Sequence, residues 1–289
     1  MSLARDIQDG FAKLSALEKI ILANVLVFIL FSLLTLPGAA IGLGQFFESL
    51  TLPSKWSLFL KQPWSIVTYA FLHFGFLHLF FNMLWLFVLA RFFSNVFDYR
   101  IGLKVYFLGI LAGGILFLLI YSLFPTLLPT TKLVGASAGV RALLIFLCAY
   151  MPLMDMQLLV FRIKLWHVGL FVVLMDVLGL FSTNIGGNIA HFGGTLTGYF
   201  YALQLKKGQD MGKGFDTALV TLENLFKGNK KNKLKTVHKG SKKMAGYTKE
   251  EFQEFNTQKR VDLILDKISK SGYDSLTQEE KEFLFKAGK

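Results

Sequence analysis

The chain has 289 residues, of which 53% are hydrophobic and 15% aromatic, and only 17% are charged. Of its 31 lysines and arginines, 19 follow Leu205, whereas the first two thirds of the chain consists largely of apolar stretches. Apolar runs of about 18 or more residues are typical of membrane-crossing helices, so an ordinary soluble domain is excluded. The composition predicts an all-α integral membrane protein with a polar, basic tail.

The apolar stretches predict six membrane-spanning helices. They lie at about 20–36, 71–91, 101–124, 135–151, 165–181 and 189–205. The aromatic-rich loop at 37–64 is expected to lie partly in the membrane interface. Lysine and arginine are most abundant in the N-terminal segment, in the loops after the second and fourth spans, and in the tail. The positive-inside rule therefore predicts that both termini are cytoplasmic.

The sequence changes character after residue 206. Between Lys227 and Lys249 it contains nine lysines and no acidic residue, which predicts binding to anionic lipid head groups. No nucleic acid partner is expected, because no aromatic or motif-like feature supports one. Thr277 and Glu280 have the spacing of a capping box, which predicts a helix start in a small helical pair. The sequence therefore predicts four segments. They are an amphipathic cytoplasmic segment (1–18), a membrane domain (19–206), a basic juxtamembrane linker (207–250) and a small helical segment (251–289).

Polar side chains inside membrane spans are costly and therefore indicate function. The apolar part of the chain contains His73, His78, Asn82, Ser137, Arg141, Asp176 and His191. The second, fourth and sixth spans all run inward from the outer face, so polar residues in their first turns come to one depth. The residues in those turns are His78, Asn82, Ser137 and His191.

Glycines surround the serine and the last histidine of this set. Gly135 and Gly139 flank Ser137 in "GASAG", and "AHFGGTLTG" at 190–198 places His191 and two glycines on one helical stripe. Glycine faces allow helices to approach closely, so we expect the two patches to meet and the two polar side chains to come within hydrogen-bond reach. A soluble-hydrolase elbow, which also has the Gly-x-Ser-x-Gly spacing, is excluded because a proline-containing loop replaces the required strand.

Three motifs occur in order along the predicted spans. They are "QPWSIVTYAFLHFGFLHLFFNM" at 62–83, "GASAG" at 135–139 and "AHFGGTLTG" at 190–198. Together they resemble the rhomboid family of intramembrane serine proteases, over about 17–205. The resemblance implies a six-transmembrane-helix rhomboid bundle in the cell (inner) membrane. It implies a serine endopeptidase without cofactor or metal, which cuts single-span membrane proteins near the outer membrane face.

The same resemblance implies roles for individual residues. Ser137 is implied to be the nucleophile and His191 its general base, in a dyad that needs no acid. The oxyanion hole is implied to consist of Asn82, His78 and the Ser137 backbone N–H. His73 matches a histidine with a structural or gating role at the entrance to the site.

Two positions near the serine depart from the family pattern. Ala138 replaces the glycine that usually follows the serine, and Arg141 stands where relatives carry an aromatic or apolar residue. An arginine near a helix centre costs roughly 2.5–3.5 kcal/mol on insertion scales, so it needs a partner or water. Stacking on His191, pairing with Asp176 and hydration in the cavity are the three options. Asp176 is expected to make a structural hydrogen bond, and a role as third triad member is disfavoured.

Two other classes of protein fit parts of the pattern. A catalytically silent rhomboid-like protein would bind membrane helices without cutting them, but it would be expected to lack Ser137 or His191. A metal transporter could use His73 and His78 with His191, but no carboxylate or thiolate lies at ligand spacing. The single cysteine, Cys148, lies in an apolar run and is expected to be a small buried hydrophobic residue.

Overall fold

A computed structural model describes residues 3–34, 44–158, 161–217 and 249–287. The main helices are α1 (Leu3–Lys13), α2 (Ala16–Leu34), α3 (Gly44–Leu50), α4 (Trp56–Phe59), α5 (Ser65–Thr68), α6 (Phe76–Val96), α7 (Tyr99–Leu123), α8 (Ser137–Tyr150), α9 (Leu165–Gly179), α10 (Ile185–Lys206), α11 (Lys249–Ser271) and α12 (Gln278–Ala287). Strand β1 (Leu52–Pro53) pairs antiparallel with β2 (Lys132–Leu133), and β3 (Asp155–Leu158) with β4 (Phe161–Lys164). The fold is therefore mainly helical, with two short strand pairs that the sequence did not predict.

A helix lies at each of the six predicted span positions, but the helices differ in length and polarity. Among the described residues, α2, α6 and α7 are long and apolar enough to cross a membrane. Helices α8 and α9 are apolar but have only 14 and 15 residues. Helix α10 has 22 residues, including five glycines and several polar side chains. A helical fold with three candidate membrane spans is thus confirmed, and the count of six spans stays a prediction.

Local capping explains where two of the helices begin. Helix α2 begins at Ala16, four residues before the predicted start, because Ser15 and Glu18 cap it reciprocally. The Ser15 N–H donates to the Glu18 carboxylate at 2.8 Å, and the Glu18 N–H donates to the Ser15 hydroxyl at 3.2 Å. Helix α10 begins before the predicted residue 189, since the Asn184 side chain accepts the Gly187 N–H at 3.3 Å. The predicted end of the first span, at 36, lies outside the described residues.

The larger of two compact units contains Met1–Phe92 and Tyr99–Gly212. Its centre is formed by α7, α8 and α10, which pack against one another, with α9 beside α8 and α10. Ten of the 14 residues of α8 are buried, as expected of a helix that is apolar on all sides. Helix α9 instead exposes large apolar side chains such as Phe171 and Leu178, which are 60% and 59% exposed. Ser137 is the first residue of α8, so this arrangement places it at one end of a helix that packs against α7 and α10.

The smaller compact unit contains Phe93–Asp98 and Lys213–Lys289. Helices α11 and α12 form a pair, as the sequence predicted. The predicted capping box is confirmed: the Thr277 N–H donates to Glu280 at 2.8 Å, and the Glu280 N–H donates to the Thr277 hydroxyl at 3.3 Å. Burial would raise the pKa of Glu280, but hydrogen bonds from Lys267 and Thr277 outweigh burial and lower that pKa.

Candidate active site

Glycines of α10 make its closest contacts with α8. A Cβ atom on Gly194 would collide with the carbonyl oxygen of Ala138, and one on Gly198 would collide with the carbonyl oxygen of Ala142. Both carbonyls belong to the first two turns of α8, directly after Ser137. The backbones of the two helices therefore touch, as small residues allow. The predicted close approach of the fourth and sixth helices is confirmed.

The two glycines that flank Ser137 face other helices than predicted. We expected Gly135 and Gly139 to face α10. A Cβ atom on Gly139 would instead lie 2.6 Å from the ring of Tyr106 in α7, and one on Gly135 would lie 2.7 Å from the imidazole of His78 in α6. Gly135 also has a φ of +111°, a backbone conformation that residues with a side chain rarely adopt. Both positions therefore need glycine, but these glycines allow the close approach of α7 and α6, where α10 was expected.

The two residues before Ser137 are held by the turn at 69–73. The Gly135 N–H donates to the Tyr69 carbonyl at 2.9 Å, and the Ala136 N–H donates to Nε2 of His73 at 3.3 Å. His73 is only 1% exposed. Ser137 follows as the first residue of α8, so its N–H is among the four that lack an intrahelical acceptor. His73 thus makes a structural contact, and its gating role stays a prediction.

His78 and Asn82 lie one turn apart in α6. The His78 ring is half-buried, and its centroid is 4.9 Å from that of His73. Asn82 is 8% exposed, and its Nδ2 donates to the carbonyl of His78 at 2.9 Å. Asn82 therefore uses one of its two N–H donors within its own helix. The oxyanion role implied for Asn82 needs the other donor, and this role stays a prediction.

Arg141 pairs with Asp176, which is one of the three options left open by the sequence. Nε and Nη2 of Arg141 each donate to a different carboxylate oxygen at 2.8 Å. The carboxylate also contacts Nδ1 of His191 at 2.8 Å. Asp176 thus connects α8, α9 and α10. The structural hydrogen bond expected of Asp176 is therefore present. A role as third triad member is disfavoured by the sequence, in which Asp176 and His191 are 15 positions apart, but the turn between α9 and α10 brings the two side chains together.

The predicted nucleophile and base lie on two helices in contact, α8 and α10, but they are not hydrogen-bonded to each other. Ser137 is half-buried, and no hydrogen bond joins it to His191 in the described part of the chain. The dyad therefore stays a prediction. An apolar cavity of about 410 Å³ adjoins Ile189 and Phe192, but none of the predicted site residues lines it. Across the described ranges, no group of three or more His, Cys, Asp or Glu side chains could hold a metal ion.

A second buried charge cluster, which the sequence did not predict, lies at the other end of α10. Nζ of Lys104, in α7, donates to Asp210 at 2.7 Å, and the two side chains are 0% and 1% exposed. The Tyr201 hydroxyl and the Gly212 N–H donate to the other carboxylate oxygen. Burial would raise the pKa of Asp210, but these hydrogen bonds outweigh burial and hold that pKa below its usual value.

The fold and the polar cluster define a helical, multi-pass membrane protein with a serine and a histidine on adjoining helices. A rhomboid domain matches residues 60–208, which is more than half of the chain. The chain therefore belongs to the rhomboid family. Residues 251–286 match a family of unknown function (DUF6576). No curated protein matches the chain.

Proposed function

We propose that this protein is an intramembrane serine endopeptidase. The observation that carries the proposal is the backbone contact between Gly194 of α10 and Ala138 of α8. Ala138 follows Ser137 directly, and His191 lies one turn before Gly194 on the same helical stripe. A serine hydroxyl is a weak nucleophile until an adjacent base accepts its proton. The helix contact supports such a pairing, and membership of the rhomboid family supports the reaction.

In the proposed reaction, Oγ of Ser137 attacks the carbonyl carbon of the scissile peptide bond while Nε2 of His191 takes its proton. The carbonyl electron pair moves to oxygen and forms an oxyanion. The intermediate collapses with cleavage of the C–N bond, and Nε2 returns the proton to the departing amine. Water then attacks the acyl-enzyme, gives its proton to Nε2, and releases the acid product and the serine hydroxyl.

The oxyanion requires donors that point to where charge develops. The N–H of Ser137, at the positive end of the α8 dipole, is the first proposed donor. Asn82 and His78 are the other two proposed donors. The His78 ring lies against Gly135, two residues before Ser137, and this contact supports a position of both donors near the start of α8. His73 supports this site by holding the N–H of the residue before the serine.

The proposed substrates are single-span membrane proteins, cut near the outer membrane face. We place the enzyme in the cell (inner) membrane with six spans and both termini in the cytoplasm. A helical peptide bond is shielded, so substrates should carry glycine, proline or polar residues that unwind the helix at the cut. Most of the basic linker proposed to bind anionic lipids lies outside the described residues, at 218–248.

A silent rhomboid-like protein that binds membrane helices is the second candidate. The lack of a hydrogen bond between Ser137 and His191 in the described ranges favours it. However, catalytic hydrogen bonds are often long before substrate binds, so this geometry is compatible with an active enzyme.

Labelling by a fluorophosphonate probe separates these candidates. The probe should label the solubilised wild type, with or without a chelator, and Ser137→Ala should abolish both labelling and cleavage of a single-span test substrate. His191→Ala should abolish cleavage as well. Ser122→Ala is the matched control, because its hydroxyl donates to its own helix at Leu118. Full labelling of Ser137→Ala would end the protease proposal. A wild type that binds single-span helices but is neither labelled nor active would be the silent protein.

A further inference from the structure

The carboxylate of Asp176 is almost completely buried and contacts two partners from two other helices. Its side chain is 3% exposed, whereas those of Arg141 and His191 are 20% and 14% exposed. Oδ1 accepts from Arg141 and contacts Nδ1 of His191, both at 2.8 Å, and Oδ2 accepts from Nε of Arg141 at 2.8 Å. The arginine binds both carboxylate oxygens, so it fixes the position and the plane of the acid.

This contact decides which nitrogen of the histidine carries the proton. Arginine is always charged, so the carboxylate beside it is ionised and can only accept hydrogen bonds. Nδ1 of His191, at 2.8 Å from that carboxylate, must therefore be the protonated nitrogen. In the neutral ring, Nε2 is then left with its lone pair. This is the form of imidazole that can take a proton from a hydroxyl group.

We propose that Asp176 is a positioning residue for His191, held in place by Arg141. This inference rests on the proposed function and extends it, because the family resemblance implies a dyad that needs no acid. Asp176 fixes the tautomer and orientation of the ring, and it stabilises the imidazolium that forms when Ser137 loses its proton. Asp176 itself stays ionised throughout, and no proton moves to it.

A purely structural role makes a different prediction from a positioning role. If Asp176 serves only to neutralise Arg141, then removing both charges should restore stability and reactivity together. If Asp176 positions His191, the double variant Arg141→Met/Asp176→Asn should regain stability but stay slow. An asparagine can donate to Nδ1, which leaves the proton on Nε2 and removes the base.

The test combines two measurements on the solubilised full-length protein. The first is the rate of fluorophosphonate labelling of Ser137 per folded molecule. We expect it to fall by about 10²–10⁴-fold in Asp176→Asn and in the double variant, the usual range for general-base catalysis. The second is the ¹⁵N spectrum of histidine-labelled protein, with His191→Gln used to assign the signal. We expect the proton on Nδ1 in the wild type and a shift towards Nε2 protonation in Asp176→Asn.

Asp210→Asn is the matched control, since it changes a buried, cation-paired aspartate of the other cluster. It should lower stability but leave the labelling rate and the His191 signal unchanged. A double variant that labels at the wild-type rate, with an unchanged His191 signal, would overturn the positioning role of Asp176 but not the proposed protease function. A wild type that does not label at all would overturn the proposed function, and the positioning role with it.

Discussion

Two buried aspartates in this protein pair with a cation from another helix, but their surroundings differ. The partners of Asp210 are Lys104, the Tyr201 hydroxyl and a backbone N–H, and the charged pair is 0% and 1% exposed. Asp176 contacts Arg141 and a histidine, and these two partners are 20% and 14% exposed. We call the Asp210 cluster the closed cluster. We call the Asp176 cluster the open cluster, because one ring nitrogen of His191 takes no part in its hydrogen bonds.

This difference shows how one kind of interaction can serve two purposes in one helix bundle. His191 and Tyr201 are ten residues apart in α10, which is about 15 Å along the helix. In the closed cluster, every polar atom of the acid is used inside the protein, so it can contribute only to stability. In the open cluster, the acid acts on a side chain whose other nitrogen can meet a reactant. The closed cluster should therefore control folding, and the open cluster should control reactivity.

The largest expected effect is on the closed cluster. Lys104→Met removes a buried cation and leaves the Asp210 carboxylate unpaired, which should lower the free energy of unfolding by about 3–5 kcal/mol. The labelling rate of Ser137 per folded molecule should stay within about twofold of the wild type, because general-base catalysis, worth about 10²–10⁴-fold, is not touched. Denaturant unfolding in detergent and fluorophosphonate labelling measure the two quantities.

Lys132→Met is the matched control for this prediction. Lys132 pairs with Glu48 at 2.9 Å, but the side chains are 45% and 66% exposed. Removing such a surface pair should cost about 0–1 kcal/mol. Equal destabilisation by the two variants would show that burial does not distinguish the closed cluster. A large loss of labelling in well-folded Lys104→Met would show that the two clusters are coupled.

A smaller effect is expected where glycine sets the distance between helices near the open cluster. Gly194→Ala places a Cβ atom against the Ala138 carbonyl, which is backbone and cannot rotate away. Overpacking of this kind should cost about 1–3 kcal/mol. Because α8 and α10 must separate, the labelling rate of Ser137 should fall as well. Thermal unfolding and labelling, measured on the same preparation, test both effects.

Gly10→Ala is the control for the added methyl group, since a Cβ atom there meets nothing within 4 Å. It should be neutral or slightly stabilising, because alanine favours the helix by up to about 1 kcal/mol over glycine. If Gly194→Ala behaved like Gly10→Ala, the α8–α10 contact would not set the geometry at Ser137.

The sequence predicted the features of this fold that leave a local signal. Apolar stretches gave the positions of the six main helices, and the glycines around His191 gave the close contact of α10 with α8. The rotation of α8 about its axis was not predictable, because its one glycine and three alanines are all small enough to let another helix approach. Gly139 therefore contacts Tyr106 of α7, where a contact with α10 was expected.

The two aspartate clusters show why the remaining contacts were missed. Lys104 and Asp210 are 106 residues apart in sequence, and neither residue indicates the other. Asp176 and His191 are 15 positions apart in sequence, and the end of α9, a turn and the start of α10 lie between them. Only the length and direction of that turn decide whether the two side chains meet. A sequence pattern contains little information on either point.

The smallest expected effect is the pH dependence of stability that the closed cluster causes. The pKa of Asp210 is lowered in the folded protein, because hydrogen bonds from Lys104, Tyr201 and Gly212 outweigh its burial. Its value in the unfolded chain is about 3.9. A carboxyl group whose folded pKa is the lower one stabilises the fold above the unfolded pKa, and this contribution is lost as the pH falls through the folded pKa. The free energy of unfolding should therefore drop more steeply below about pH 4 in the wild type than in Asp210→Asn, although the variant starts from a lower value.

Other carboxylates, Glu280 among them, titrate in both proteins, so the difference between the two curves isolates Asp210. Parallel curves from about pH 6 to pH 3, a window around that unfolded value, would mean that Asp210 titrates alike in the folded and unfolded chains. The closed cluster would then not be held by its charge.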